Sequence, residues 1–252
     1  IGKYNIPFHT LILPALLMAS EEGYVLPWGI SATEYLLFEG QKFSKSRRIG
    51  VWIDEAIEMY PVDYWRYVLL ALRPEGRDVS FSWSLFKELV NSHLNDTLGN
   101  FIHRVLTLTW KYFHSKIPTP NSEWVNEWLW RKILEIHDEC SKLLDAFKIR
   151  DALQEVMNLA REGNRYLNEK APWDAIKKGD ISSAATAIYV CLNAIKALAI
   201  MLAPFIPNSA DEIWKMLGNV SSVHSMKWDE AIKPLEPGKE ILKPKPIFAK
   251  IK

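Results

Sequence analysis

Cysteine is nearly missing from these 252 residues, with Cys140 and Cys191 the only two. They stand far apart inside apolar helical patterns, which argues against a disulfide framework and predicts two buried, reduced thiols. The six histidines (His9, His93, His103, His114, His137, His224) fall at no ligand spacing, so the sequence offers no metal site. Net charge is small as well, 31 basic against 30 acidic residues for a formal +1. That excludes a chain basic all over; an anion site here has to be a local patch. No uninterrupted apolar run approaches the roughly 18 residues of a membrane span. The longest, Leu11–Ala19, is broken by Pro14. It also fails as a signal peptide, because Lys3 alone is a poor basic region and no small-residue cleavage site follows.

What is present is apolar bulk and a lump of positive charge. Hydrophobic residues make up 48% of the chain and include 11 tryptophans, enough for a substantial core in one large domain or two ordinary ones. The lump is KFSKSRRIG, residues 42–50, where Lys42, Lys45, Arg47 and Arg48 crowd into seven positions around Ser44 and Ser46. Hydroxyls and backbone N–H groups can donate to phosphate oxygens while ammonium groups supply charge. Most such runs are nonetheless solvated loops, and charge by itself does not decide between the two.

Residues 1–50 read as part of an α/β domain. An extended start (GKYNIPFH) leads to an apolar helix near 9–21, EEGYVLPWG looks like a strand, and EYLLFEG alternates toward a turn at Gly40. From Val51 the pattern becomes helical, with two short helices parted by Pro61 and then a strand in RPEGRDVSFSW. Ser84 is placed to cap a long helix carrying Phe86, Leu89, Val90, Leu94, Leu98, Phe101, Val105 and Leu108 on its inner side. A Pro-containing linker, KIPTPNSEW, precedes helices near 122–145, 149–169 and 180–202. The last is apolar nearly all round and reads as the centre of a bundle. A short helix in NSADEIWKMLG ends at Gly218, and Lys-Pro pairs keep 233–252 extended.

KFSKS resembles the KMSKS signature of class I aminoacyl-tRNA synthetases, with Phe43 in place of Met. GKYNIPFHTLILPALL upstream resembles the GKDNIPFH segment of the methionyl-tRNA synthetases. WIDEAIEMYPVDYWRYVLLALRPEGRDVSFSW, LNDTLGNFIHR, NRYLNEKAPW and KPKPIFAKI are similar to later parts of that family, in order and over essentially the whole chain. The resemblance implies a mixed fold. Residues 1–50 would be the C-terminal remnant of a Rossmann-like α/β catalytic domain, 51–84 a mostly α stem-contact region, 85–232 an all-α helix-bundle anticodon-binding domain, and 233–252 a tail packing back on the body.

It implies further a parent enzyme that joins methionine to ATP as methionyl-adenylate and passes it to tRNA(Met), with Mg2+ accompanying the ATP, in the cytoplasm and away from membranes. Lys45 and Lys42 would be the catalytic cations and Ser44 and Ser46 further ATP-binding groups. Asn5 and His9 would belong to the methionine pocket. Asn100 and Trp173 fall on the family's anticodon-reading positions. The HIGH-type signature and any zinc site would lie in an absent N-terminal half, so this stretch is expected to be inactive alone. Tyr4 and Leu13 depart from the family's Asp and Trp. The acceptor stem and anticodon of tRNA are the implied RNA partners.

Helical spacing adds detail independently. Asn100, Arg104, Thr107 and Lys111 recur at steps of four, three and four, forming one polar stripe. RNA loops are read by such donors together with an aromatic platform, and Trp173, restrained by Pro172 beside the small Ala171, is the candidate platform. The plain alternatives are a solvated helix face and a core tryptophan. Asp54/Glu55 and Asp138/Glu139 read as solvated carboxylate pairs. Trp124, Trp128 and Trp130 read as packing residues, and Gly163 as a point of close helix approach. Two other functions stay open: a non-catalytic tRNA-binding module, and a sibling class I synthetase for another apolar amino acid.

Overall fold

Glu39 and Gly40 both take positive φ, 47° and 78°, the conformation a two-residue hairpin turn requires. They fold β1 (Leu36–Phe38) back on β2 (Gln41–Lys42) with Phe38 opposite Gln41. The structure, a computed structural model, describes residues 1–251. In it β3 (Val79–Phe81) lies parallel to β1, Leu36 opposite Val79, giving a sheet of order β2-β1-β3. Between β2 and β3 come α2 (Ile53–Met59) and α3 (Val62–Ala71), separated at Pro61. The Trp52 N–H donates to Glu55 Oε2 at 3.4 Å, so Glu55 caps α2.

The start of the chain differs from expectation. Only Gly2 is extended, bridged to Thr33; from Lys3 the segment is helical, with a short turn at Lys3–Asn5, a wide π turn at Phe8–Ile12, then α1 (Leu13–Ala19). The strand expected in Tyr24–Gly29 does not form. Alternation alone cannot hold a strand that has no neighbour to pair with. No side chain before Asp63 is buried.

Burial begins at α3. Asp63 accepts the Ser209 N–H at 2.6 Å, and Arg66 donates to the carbonyls of Pro204 and Phe205 at 2.7 and 2.8 Å. On the other side of α3, Trp65 stacks on Phe81 and packs against Phe86. The long helix then runs as α4 (Trp83–Glu88), a π-wound stretch Leu89–Gly99, and α5 (Asn100–Tyr112). Its cap is Ser82, whose Oγ accepts the Leu85 N–H at 3.2 Å, and not Ser84. Ser82 takes the cap because it still has strand-like backbone, while Ser84 is already inside the helix.

The bundle continues with α6 (Trp128–Asp145), α7 (Ile149–Lys170), α8 (Pro172–Lys177), α9 (Ile181–Leu202) and α10 (Pro207–Met216). By length and composition α9 could cross a membrane, but its apolar window is wholly buried among the other helices. Cys140 and Cys191 are buried and unpaired. The π stretch, α5 and α7 run side by side in one direction: Asn164 Nδ2 donates to the Thr97 carbonyl at 2.9 Å and Arg104 to Asn168 further along. Gly163 lets Phe101 in, since a Cβ there would sit 2.4 Å from Phe101 Cζ.

Trp124, Trp128 and Trp130 are packing residues, edge-on to one another or to Tyr189 and Tyr166. The tail is extended, and it is more than a surface strap: Ile241 and Phe248 are buried. Asn91 exchanges two hydrogen bonds of 2.9 Å with the Ile251 backbone.

Candidate functional site

The basic run is a tight hairpin. Ser44 and Ile49 exchange backbone hydrogen bonds of 3.0 and 2.9 Å, and the Arg48 N–H closes on the Lys45 carbonyl at 3.2 Å. Ser44 Oγ lies 3.3 Å from Ser46 Oγ and accepts the Arg47 N–H at 3.4 Å. Arg48 (φ 52°) and Gly50 (φ 136°) supply the left-handed bends. Phe43 anchors the base of the hairpin against Phe38, ring centres 5.7 Å apart. A Cβ on Gly50 would lie 2.6 Å from Phe43 Cδ1, so both the bend and the close approach demand glycine.

Among the described residues, Lys42, Lys45, Arg47 and Arg48 form no ion pair. Their charge is therefore uncompensated and exposed, free for an anionic ligand. Lys42 Nζ does sit 5.1 Å from the centre of the Tyr35 ring, and Lys3 Nζ lies 4.7 Å from the same ring. Tyr4 packs against Tyr35 too, at 5.5 Å. Tyr35, which the sequence alone does not single out, thus joins the N-terminal helical segment to the base of the hairpin. On that segment His9 Nδ1 lies 2.9 Å from the Asn5 carbonyl, one helical turn away.

The second candidate site is at the far end of α7. Ala171 ends that helix in the left-handed region (φ 39°), and Pro172 immediately starts α8. This bend sets Trp173 beside the long helix. The Arg104 guanidinium stands 5.4 Å from the Trp173 ring centre and donates to Asn168 Oδ1 at 2.7 Å. Trp173 is half-buried, with part of it packed on the core and part open to solvent.

The polar stripe is divided by these contacts. Arg104 and Trp173 come together. Asn100, one turn before Arg104, opens into a cavity of about 470 Å³ shared with Asp96, His103 and Phe248. Lys111 lies two turns away, its Nζ 5.0 Å from the Tyr112 ring centre, and stays outside the Trp173 cluster. Asn168 carries no signal in the sequence, because a polar residue on the outer face of α7 looks like its solvated neighbours until the contact with Arg104 is known. Asp138, one of the carboxylates set aside, pairs with Lys142 at 2.6 Å.

Comparison with known proteins shows the family. The family described as tRNA synthetases class I (M) matches residues 1–106, and the anticodon binding domain of methionyl tRNA ligase matches residues 119–252. Methionine–tRNA ligase of Thermofilum pendens is 50% identical over the whole chain, and that of Metallosphaera sedula 48%. In each case the match covers 44% of the relative, so the chain spans less than half the length of these proteins. Mycobacterium tuberculosis methionyl-tRNA synthetase, solved in complex with methionyl-adenylate, superposes with TM-score 0.85 at 28% identity. The match covers 98% of this chain and 49% of that one. The chain belongs to the methionyl branch of the class I tRNA synthetases.

Proposed function

We propose that this chain is the C-terminal part of a methionine–tRNA ligase, contributing the phosphate-gripping hairpin and the anticodon platform. One observation carries the reading: one polypeptide holds both a hairpin of uncompensated cations at residues 42–50 and, in its helical bundle, a half-buried tryptophan flanked by an arginine and an amide. An enzyme that activates an amino acid with ATP and checks a distant RNA triplet needs those two devices.

In the proposed reaction the carboxylate of methionine attacks the α-phosphate of ATP, forming the acyl phosphate bond as the bond to pyrophosphate breaks. Negative charge grows on the departing pyrophosphate. Lys45, supported by Lys42, closes on that charge, and the hydroxyls of Ser44 and Ser46 donate to its oxygens. Mg2+ would arrive with the nucleotide and share its phosphate charge. Because the hairpin is exposed and held mainly at its base by Phe43, it can close late in the reaction, when the charge is greatest. Asn5 and His9 lie on the segment assigned to the methionine pocket. A hydroxyl of the terminal ribose of tRNA(Met) then attacks the acyl carbon, forming the ester as the acyl–phosphate bond breaks and AMP leaves; the splayed anticodon base of that tRNA rests on Trp173 near Asn100 and Arg104, and Lys111 serves the adjoining phosphates.

The division at 1–50, 51–84, 85–232 and 233–252 is part of the same proposal. The exposed start of the chain supports its first part. A segment that buries no side chain before Asp63, yet exposes Phe8, Leu11, Leu16, Met18 and Trp28, belongs to a larger domain that covers it. A cytoplasmic setting follows from the proposed role in translation. The test is methionine-dependent exchange of pyrophosphate with ATP by the full-length protein. Exchange driven by leucine or isoleucine instead would replace this reading with that of a sibling ligase.

A further inference from the structure

The base of the basic hairpin is gripped from both faces of the sheet. Lys42 lies opposite Leu37 in the β1–β2 pairing, and Phe43 follows it. Side chains alternate between the two faces of a strand. Phe43 therefore turns to the face of Phe38, where the two ring centres are 5.7 Å apart and Phe38 in turn stacks on Phe81. Lys42 turns to the other face, that of Leu37 and of Tyr35 two residues earlier. A diagonal cross-strand neighbour is within reach of a ring and a long side chain. Lys42 Nζ accordingly stands 5.1 Å from the centre of the Tyr35 ring.

Tyr35 is itself a fixed point. Its N–H donates to Asp78 Oδ1 at 2.9 Å, and its carbonyl accepts the Val79 N–H at 3.0 Å, which carries the β1–β3 pairing back to this residue. The Tyr4 ring packs against it at 5.5 Å. Lys3, the second cation on the ring, does not depend on it: its Nζ donates to Glu34, and to Asp78 at 3.3 Å. Among the described residues Lys42 has no carboxylate partner, so the ring is what holds its ammonium.

The kind of contact matters. A carboxylate would hold Lys42 firmly but would neutralise it, and an incoming anion would have to break that pair. A ring face attracts the ammonium and leaves its charge available.

We propose that Tyr35 is a positioning residue: its ring presets Lys42 for the phosphates of ATP, so that Lys42 is the fixed cation of the hairpin and Lys45 the mobile one. This deepens the reading that the hairpin grips ATP, and rests on it. A division of labour follows. A cation already in place meets the nucleotide in the ground state and the transition state alike, and lowers KM. One that arrives as the hairpin closes acts mainly in the transition state, and raises kcat.

The experiment is methionine-dependent pyrophosphate exchange by the full-length protein with ATP varied, arranged as a double-mutant cycle. Tyr35→Leu should raise KM for ATP about two- to fivefold, with kcat nearly unchanged. Tyr35→Phe keeps the ring and should keep KM. In a Lys42→Ala background Tyr35→Leu should have no further effect, and Lys45→Ala should lower kcat instead. If Tyr35→Leu raises KM equally with and without Lys42, the ring only supports the fold and the proposal is overturned. The same holds if Tyr35→Leu leaves KM unchanged, or if Tyr35→Phe loses as much as Tyr35→Leu, since the hydroxyl would then be the operative group. Should Lys42→Ala and Lys45→Ala both keep full exchange, the reading of the hairpin itself fails, and the role of Tyr35 with it.

Discussion

The Arg104 guanidinium lies 5.4 Å from the centre of the Trp173 ring and is held there by a 2.7 Å hydrogen bond to Asn168. A cation over an indole at a partly exposed site contributes about 0.5–1 kcal/mol. It also restrains the ring, which would reduce the entropy lost if the proposed RNA base stacks there.

Replacing Trp173 tests the proposed platform directly. Trp173→Ala in the full-length protein should weaken initiator and elongator methionine tRNAs alike by about 1–3 kcal/mol, roughly fivefold to 150-fold. Arg104→Ala should have a smaller effect in the same direction. Filter binding or fluorescence titration reads both, and undiminished affinity in Trp173→Ala would remove the platform.

The hairpin is tested at its tip and at its base. Lys45→Ala should slow methionine-dependent pyrophosphate exchange by about 2–4 kcal/mol of lost transition-state stabilisation, some 30- to 1,000-fold. Gly50→Ala keeps every charge but forces a Cβ into Phe43 at a φ of 136°. It should also slow exchange, with little change in melting temperature because no hairpin side chain is buried. Full activity in both variants would separate the loop from the chemistry.

Gly163→Ala tests the seam between α7 and the long helix. The added methyl would fall 2.4 Å from Cζ of a fully buried Phe101. Overpacking of this kind costs about 1–3 kcal/mol, offset in part by a helix-propensity gain of about 1 kcal/mol. The melting temperature should fall by a few degrees. Phe101→Leu added to Gly163→Ala should recover part of the loss, and a stabilised single variant would show that the seam is looser than described.

Lys196 gives the fold a pH dependence. It lies in the wall of α9, its Nζ donating to the Lys233 carbonyl, and burial pulls its pKa down to about 8, with Glu230 opposing and Lys233 adding to the shift. Between about pH 8 and the ordinary lysine value of 10.5 the unfolded chain holds a proton at this site that the folded chain has released. Raising the pH through that window therefore favours the fold. Denaturant stability of wild type minus that of Lys196→Met should increase from pH 8 to pH 10 and stay flat from pH 6 to pH 7.5. Taking the difference cancels other groups that titrate in alkali. A flat difference throughout would show that Lys196 keeps an ordinary pKa.

Sequence patterning located the bundle helices well. The helix expected near 180–202 is Ile181–Leu202, and the one near 149–169 is Ile149–Lys170. Apolar periodicity is a local property that survives whatever the helix packs against. It failed at the N-terminus, where Tyr24–Gly29 has the composition of a strand but no pairing partner among the described residues. Strand formation depends on a neighbour; helix formation does not.

By itself the amino-acid order determined the family, the helical bundle, the basic hairpin and the candidate tryptophan, because each is written in a contiguous run or a fixed helical spacing. Only the tertiary structure decided which members of the polar stripe stand together with Trp173. It placed Arg104 on Asn168 and Trp173 and left Lys111 outside. Arg104 and Asn168 are 64 positions apart, and such contacts are set by how helices pack, a relation that no local pattern in one sequence encodes.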